Sequence, residues 1–232
     1  MDFSPYHRFH DCGRLERAIE ELWDGGGVSE DVYDAYRTYH FALIHKLRSA
    51  HYHTETISSY LASKGTLETS PSEVVYRINY HFDGFCYVIA SALDIFAREV
   101  LSYFGLPLPS YVYFGTAEEH IRRARPADPI LPYLTEPSWK SEFSDYRNVA
   151  THESVVGTRY QVDVEVRGDE EHKKLVYPLP DDPRLPLDDR TYDSNPDIAE
   201  YVSTTMTRTL RLFNPAYSQI CDRVGAAGTL PL

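Results

Sequence analysis

Cysteine is scarce in this chain of 232 residues: Cys12, Cys86 and Cys221 are odd in number, far apart and without a Cys-x-x-Cys spacing. That excludes a secreted disulfide framework and a thiolate zinc site, and it points to a reducing, cytoplasmic setting. Long apolar runs are missing as well. None approaches the roughly 20 residues a helix needs to cross a bilayer. The first residues, with His7, Arg8, His10 and Asp11, lack the apolar core of a signal peptide. The expectation is a soluble protein with no membrane partner.

Positive charge is also in short supply. Lys and Arg total 23 against 35 Asp and Glu, for a formal net charge of -12. Binding nucleic acid by broad charge neutralisation needs concentrated cations, so any RNA contact here must be local. The one basic cluster, Arg122, Arg123 and Arg125, stops at Pro126 and reads either as a solvated helix end or as a weak guide for RNA. Walker loops, Gly-x-Gly-x-x-Gly, nucleophile elbows and His-Glu-x-x-His are absent. His45, His51 and His53 lie close in sequence, yet His51 and His53 point apart on a helix and no carboxylate sits at the partner spacing. Neither a metal nor a cofactor is expected.

What the chain has is helical periodicity. Leu15, Ile19, Leu22 and Trp23 form an amphipathic segment that stops at Gly25-Gly26-Gly27, which makes residues 1–28 a helical extension. Residues 29–232 read as one domain. Ser29 opens a long seam through Tyr36, Leu43, Leu47, Ile57 and Leu61 that breaks near Gly65. After Pro71-Ser72 a second seam runs through Ile78, Phe82, Phe85, Ile89, Phe96 and Val100 and ends at Gly105 and Pro107. Two such helices should pair antiparallel as the heart of a bundle. Prolines then restrict Leu106 to Pro137 to short helices, such as Ala117 to Ala124.

Ser138 opens a further helix through Trp139, Phe143, Tyr146, Ala150 and Glu153, with Gly157 as its end. Tyr160 to Val166 and Leu175 to Leu179 alternate in polarity, which predicts a hairpin insertion at about 158–180. Asp197 to Phe213 is a last helix, interrupted by Pro215 before Ile220 and Val224. The fold class is all-α, an antiparallel helical bundle with a small inserted β-hairpin.

Chemistry concentrates in Arg147-Asn148-Val149-Ala150-Thr151-His152. A guanidinium grips phosphate oxygens in a fork, an amide can orient it, and an imidazole titrates near neutrality. The spacing alone carries little weight. Chance supplies about 0.8 Arg-x4-His matches in such a composition, and the chain holds three, the others being Arg48 to His53 and Arg167 to His172. Only Arg147 is followed at once by an amide or carboxylate side chain. On an α-helix Arg147 and His152 lie about 140 degrees apart, so arginine's length must close the gap. The plainer alternatives are an Arg147 ion pair with Asp145 or Glu142 and a histidine that favours the helix dipole. Glu153 either orients the imidazole or is a solvated helix residue. Asp83 and Asp94 either line a site or mark the wet side of their helix.

In its order of helices from about Ser29 to Phe213, with Arg147-Asn148-x3-His152 on a later helix, the chain resembles the HEPN superfamily. The resemblance implies a homodimer whose motif helices face each other, metal-independent endoribonuclease activity, and service as a toxin, defence effector or RNA-processing enzyme. It assigns Arg147 to the scissile phosphate, His152 to proton transfer and Asn148 to polar support. One departure stands out: some toxin members that pair with a nucleotidyltransferase antitoxin carry tyrosine two residues after the histidine, where this chain has Ser154. The expected function is a HEPN-type endoribonuclease acting on RNA, with a cognate antitoxin or complex partner. The alternative is a noncatalytic HEPN-like binding or dimerisation module in a defence or toxin–antitoxin system.

Overall fold

The computed structural model describes residues 10–62, 71–135, 137–153, 155–167, 170–193 and 197–227. It is mostly helical: α1 (His10–Asp24), α2 (Glu30–Ala62), α3 (Pro71–Tyr103), α4 (Phe114–Ala124), α5 (Trp139–Asn148) and α6 (Ile198–Ala227), with a π-helical turn at Val149–Glu153. Among the described residues no helix is long and apolar enough to cross a membrane. The break expected at Gly65 lies outside the described residues.

The chain divides into two compact units. One comprises Met1–Arg48, Ile89–Pro137 and Thr207–Leu232; the other comprises Ser49–Val88 and Ser138–Met206.

In the first unit, α1 turns Leu15 and Ile19 inward and stops where Gly26 N donates to Trp23 O and Gly27 N to Leu22 O. Here α2 and α3 run antiparallel, since Tyr36 meets Tyr103 while His40, one turn later, meets Glu99 one turn earlier. Their contact is polar at its centre. The fully buried Glu99 accepts from His40 Nδ1, Tyr103 and Tyr217, and His40 Nε2 reaches Glu16 of α1 at 3.1 Å. A buried carboxylate is tolerable only with its lone pairs filled in this way. Around it Phe96 stacks on Phe213 at 4.3 Å between centroids, and each such buried phenylalanine contributes about 1.5–3 kcal/mol. Asp94, expected at a site lining or on a wet face, accepts from Phe114 N and so satisfies a free donor at the start of α4. The break expected at Pro215 does not occur: α6 continues through it. Phe213, Ala216, Tyr217 and Ile220 are all buried, and that packing offsets the hydrogen bond a proline removes.

In the second unit α2 and α3 again run antiparallel, with His53 beside His81 and Tyr60 beside Arg77. Phe82 of α3 packs edge-on against Tyr146 of α5 and Tyr201 of α6, and those two tyrosines pack on each other at 5.2 Å. Strands β1 (Gln161–Arg167) and β2 (Glu170–Val176) pair antiparallel, Gln161 opposite Val176 and Arg167 opposite Glu170. The second strand precedes the alternation at Leu175–Leu179 from which it was expected. Pro178 and Pro180 explain the shift, because a proline has no N–H to give to a ladder; Pro178 makes only an isolated bridge to Asp197.

Candidate functional site

The motif helix is short because its geometry changes at its end. α5 runs α-helically from Trp139 to Asn148 and then widens into the π turn over Val149–Glu153. Ser138 itself makes no capping hydrogen bond. The inward residues of the stretch are Phe143, Tyr146 and Val149. Arg147, Asn148 and His152 fall between or beyond them, Asn148 and His152 exposed and Arg147 partly covered. A π turn closes with i→i+5 bonds, so residues five apart come nearer to one face than the 140-degree offset of an α-helix allows. The Arg147–His152 spacing therefore sits where the helix departs from α geometry.

Arg147 pairs with the amide of its neighbour. Its Nη1 donates to Asn148 Oδ1 at 2.9 Å, while its buried Nε has no hydrogen-bond partner among the described residues. The ion pair weighed against a functional role is not made. Asp145 lies instead 3.6 Å from Arg184, and no carboxylate is recorded against Arg147 among the described residues. Thr151 Oγ1 donates back to Arg147 O at 2.7 Å, pinning the backbone across the turn. Glu153's side chain and Ser154 lie outside the described residues, so their expected roles stand only as sequence readings.

The pattern of the sequence does not reveal what residues 178–193 hold. Upstream of the motif, Tyr146 OH donates to Pro180 O at 2.7 Å. Downstream, the buried Arg190 donates to Val155 O, Val156 O and Leu185 O, and Tyr192 OH donates to Gly157 O. The stretch from Tyr146 to Gly157 is thus tied at both ends to one segment of chain. Gly157 has a φ of +73 and a Cβ there would stand 3.0 Å from Leu187 and 3.2 Å from Arg190, so the tie needs glycine. The signal in the sequence was Arg190, one of two arginines in a run of prolines and aspartates. It does not distinguish a buried carbonyl anchor from a surface charge.

Arg122, Arg123 and Arg125 belong to the first unit, apart from the motif in the division of the chain. Arg122 pairs with Glu118, Arg123 with Glu119, and Arg125 lies over the Phe104 ring at 5.1 Å. Each has a local partner one turn away or an aromatic face. Asp83 is in the second unit; burial pushes its carboxyl up to about 7, and its Oδ1 lacks a hydrogen-bond partner among the described residues. The structure brings Arg147 and Asn148 into direct contact. Among the described residues no hydrogen bond joins either of them to His152.

No family model, no curated protein and no solved structure matches this chain.

Proposed function

We propose that this protein is a metal-independent endoribonuclease of the HEPN type, with Arg147, Asn148 and His152 as its site. The observation that carries the reading is the state of Arg147: a partly covered guanidinium oriented by an amide, without a recorded carboxylate among the described residues, in the last turn of α5 just ahead of a π turn that carries an exposed histidine. Such turns occur often at functional sites.

In this mechanism the phosphodiester binds to the Arg147 fork, with Asn148 holding the guanidinium plane. His152 removes the proton of the 2'-hydroxyl as that oxygen attacks phosphorus in line. The P–O5' bond breaks and the leaving oxygen takes a proton from water, giving a 2',3'-cyclic phosphate and a 5'-hydroxyl, and His152 later returns its proton to solvent. Arg147 stabilises the charge that builds on the equatorial oxygens, an electrostatic role usually worth about 10²–10³ in rate. Proton transfer by a positioned histidine adds about 10²–10⁴.

The resemblance to the HEPN superfamily extends this reading to a homodimer that joins two motif helices, to an all-helical bundle with β1 and β2 as an insertion, and to a toxin or defence role with an antitoxin or complex partner. Dimerisation would place two uncompensated arginines together on an otherwise acidic molecule.

The test is incubation with RNA and with DNA of the same sequence in EDTA. Cleavage of RNA alone, with products ending in 2',3'-cyclic phosphate, is the expected result. Cleavage of both polymers, or products with 3'-hydroxyl ends, contradicts the mechanism.

A further inference from the structure

In the same unit as the Arg147 motif, the α2–α3 pair presents two histidines that no sequence spacing connects. His53 Nδ1 and His81 Nδ1 stand 3.1 Å apart, ring centroids 5.3 Å apart. Two neutral imidazoles can meet in this way only when one nitrogen donates its proton to the other's lone pair. A metal ion that takes the place of that proton would draw one lone pair from each ring. Imidazole–zinc bonds of 2.0–2.1 Å set two nitrogens of a tetrahedral site about 3.3 Å apart, so the observed separation already approximates a ligand edge.

The surroundings suit a ligand pair. Burial, with the neighbouring His81, holds His53 below its ordinary value, and burial does the same for His81, so both rings are kept in the neutral form that binds metals. Gly84 makes room for the His53 ring: a Cβ there would lie 2.5 Å from His53 Cε1. Tyr52, Tyr60 and Tyr80 stand around the pair with ring centroids 5.4 to 6.1 Å from His81. Tyr52 and Tyr80 are more than half exposed, so the pair is reached from solvent. Among the described residues no group of three His, Cys, Asp or Glu side chains could hold an ion. An ion here therefore keeps open positions.

We propose that His53 and His81 form a two-histidine site for a late first-row divalent ion such as zinc, nickel or copper. Its open positions take water or an oxygen or nitrogen donor entering past the tyrosines. Imidazole donors favour these ions over magnesium or calcium, which prefer oxygen. The ion would also tie α2 to α3 in this unit and so raise thermal stability in proportion to occupancy. The inference is independent of the RNA-cleaving reading, whose chemistry proceeds in EDTA.

The test is a titration of the full chain with Zn²⁺ by calorimetry, with thermal unfolding as a second readout. One equivalent is expected to bind and to raise the unfolding temperature. His53→Ala and His81→Ala should each abolish that equivalent while keeping the helical circular dichroism, and His51→Ala should retain it. Gly84→Ala keeps both ligands but displaces the His53 ring. It should weaken binding by about ten- to hundred-fold, the range for disturbing the support of a metal ligand. No saturable binding by the wild type, or binding unchanged in both His53→Ala and His81→Ala, overturns the proposal.

Discussion

Burial pushes the Asp83 carboxyl up to about 7, so the folded protein keeps a proton there over an interval, from 3.8 upward, in which the unfolded chain has released it. The stability associated with this group is therefore complete below the lower value and is lost as pH rises through the upper one. Asp83→Asn removes that dependence. At about pH 8 the variant should be more stable than the wild type by about 1–2 kcal/mol, less than the full shift implies because the side chain keeps part of its solvent contact. The difference should shrink towards pH 4. Urea unfolding at both ends of the range checks it, and a difference independent of pH contradicts the account. His53 and His81 act in the opposite sense, since both are held below the ordinary 6.5 and cost stability as pH falls past it. The comparison with wild type at each pH separates the two effects.

Asn148 is a positioning residue at this scale. With its Oδ1 removed, the Arg147 Nη1 loses its recorded partner and the guanidinium is free to turn. Asn148→Ala should lower kcat more than it raises KM, because the charge stabilisation depends on orientation while phosphate attraction survives. Equal activity in the variant and the wild type would remove Asn148 from the site.

Among the elements, the π turn at Val149–Glu153 has the clearest consequence for function. A π turn accommodates one residue more than the α-helix it interrupts, so deletion of Ala150 should restore α geometry and change the phase of His152 relative to Arg147. The expected outcome is helical circular dichroism close to wild type with RNA cleavage lost. Full cleavage by the deletion variant would show that the turn plays no part.

The same scale shows which features were legible. The seams through α2 and α3 could be read because Tyr36, Leu43, Leu47 and Ile57 on the one, and Ile78, Phe82, Phe85, Ile89 and Phe96 on the other, repeat at helical steps and are all buried. The π turn could not, since nothing in Val149-Ala150-Thr151 distinguishes it from an α-helical ending. Nor could the continuation of α6 through Pro215, which depends on burial of residues on both sides rather than on local propensity. For the site, Arg147-Asn148-x3-His152 was visible as a pattern, whereas its support by Arg190, Tyr192 and Pro180 depends on contacts across more than thirty residues. The His53–His81 approach was hidden for the same reason. Twenty-eight positions separate the pair, and only the antiparallel run of α2 and α3 closes the distance.

At the scale of the whole molecule, a net charge of -12 works against polyanion binding except where cations lie free of acidic partners. Arg122 and Arg123 are each paired with a glutamate, whereas Arg147 is held by an amide. The account thus places recognition and chemistry of RNA in a few side chains on an acidic molecule. Its central claim is that Arg147 and His152 carry RNA cleavage without a metal. The most direct test measures cleavage of a mixed RNA substrate in EDTA by the wild type, Arg147→Ala and His152→Ala, with folding of each followed by circular dichroism. The account predicts cleavage by the wild type and a loss of about 10² or more in both folded variants; cleavage that survives both substitutions, or a wild type that leaves RNA intact, would contradict it.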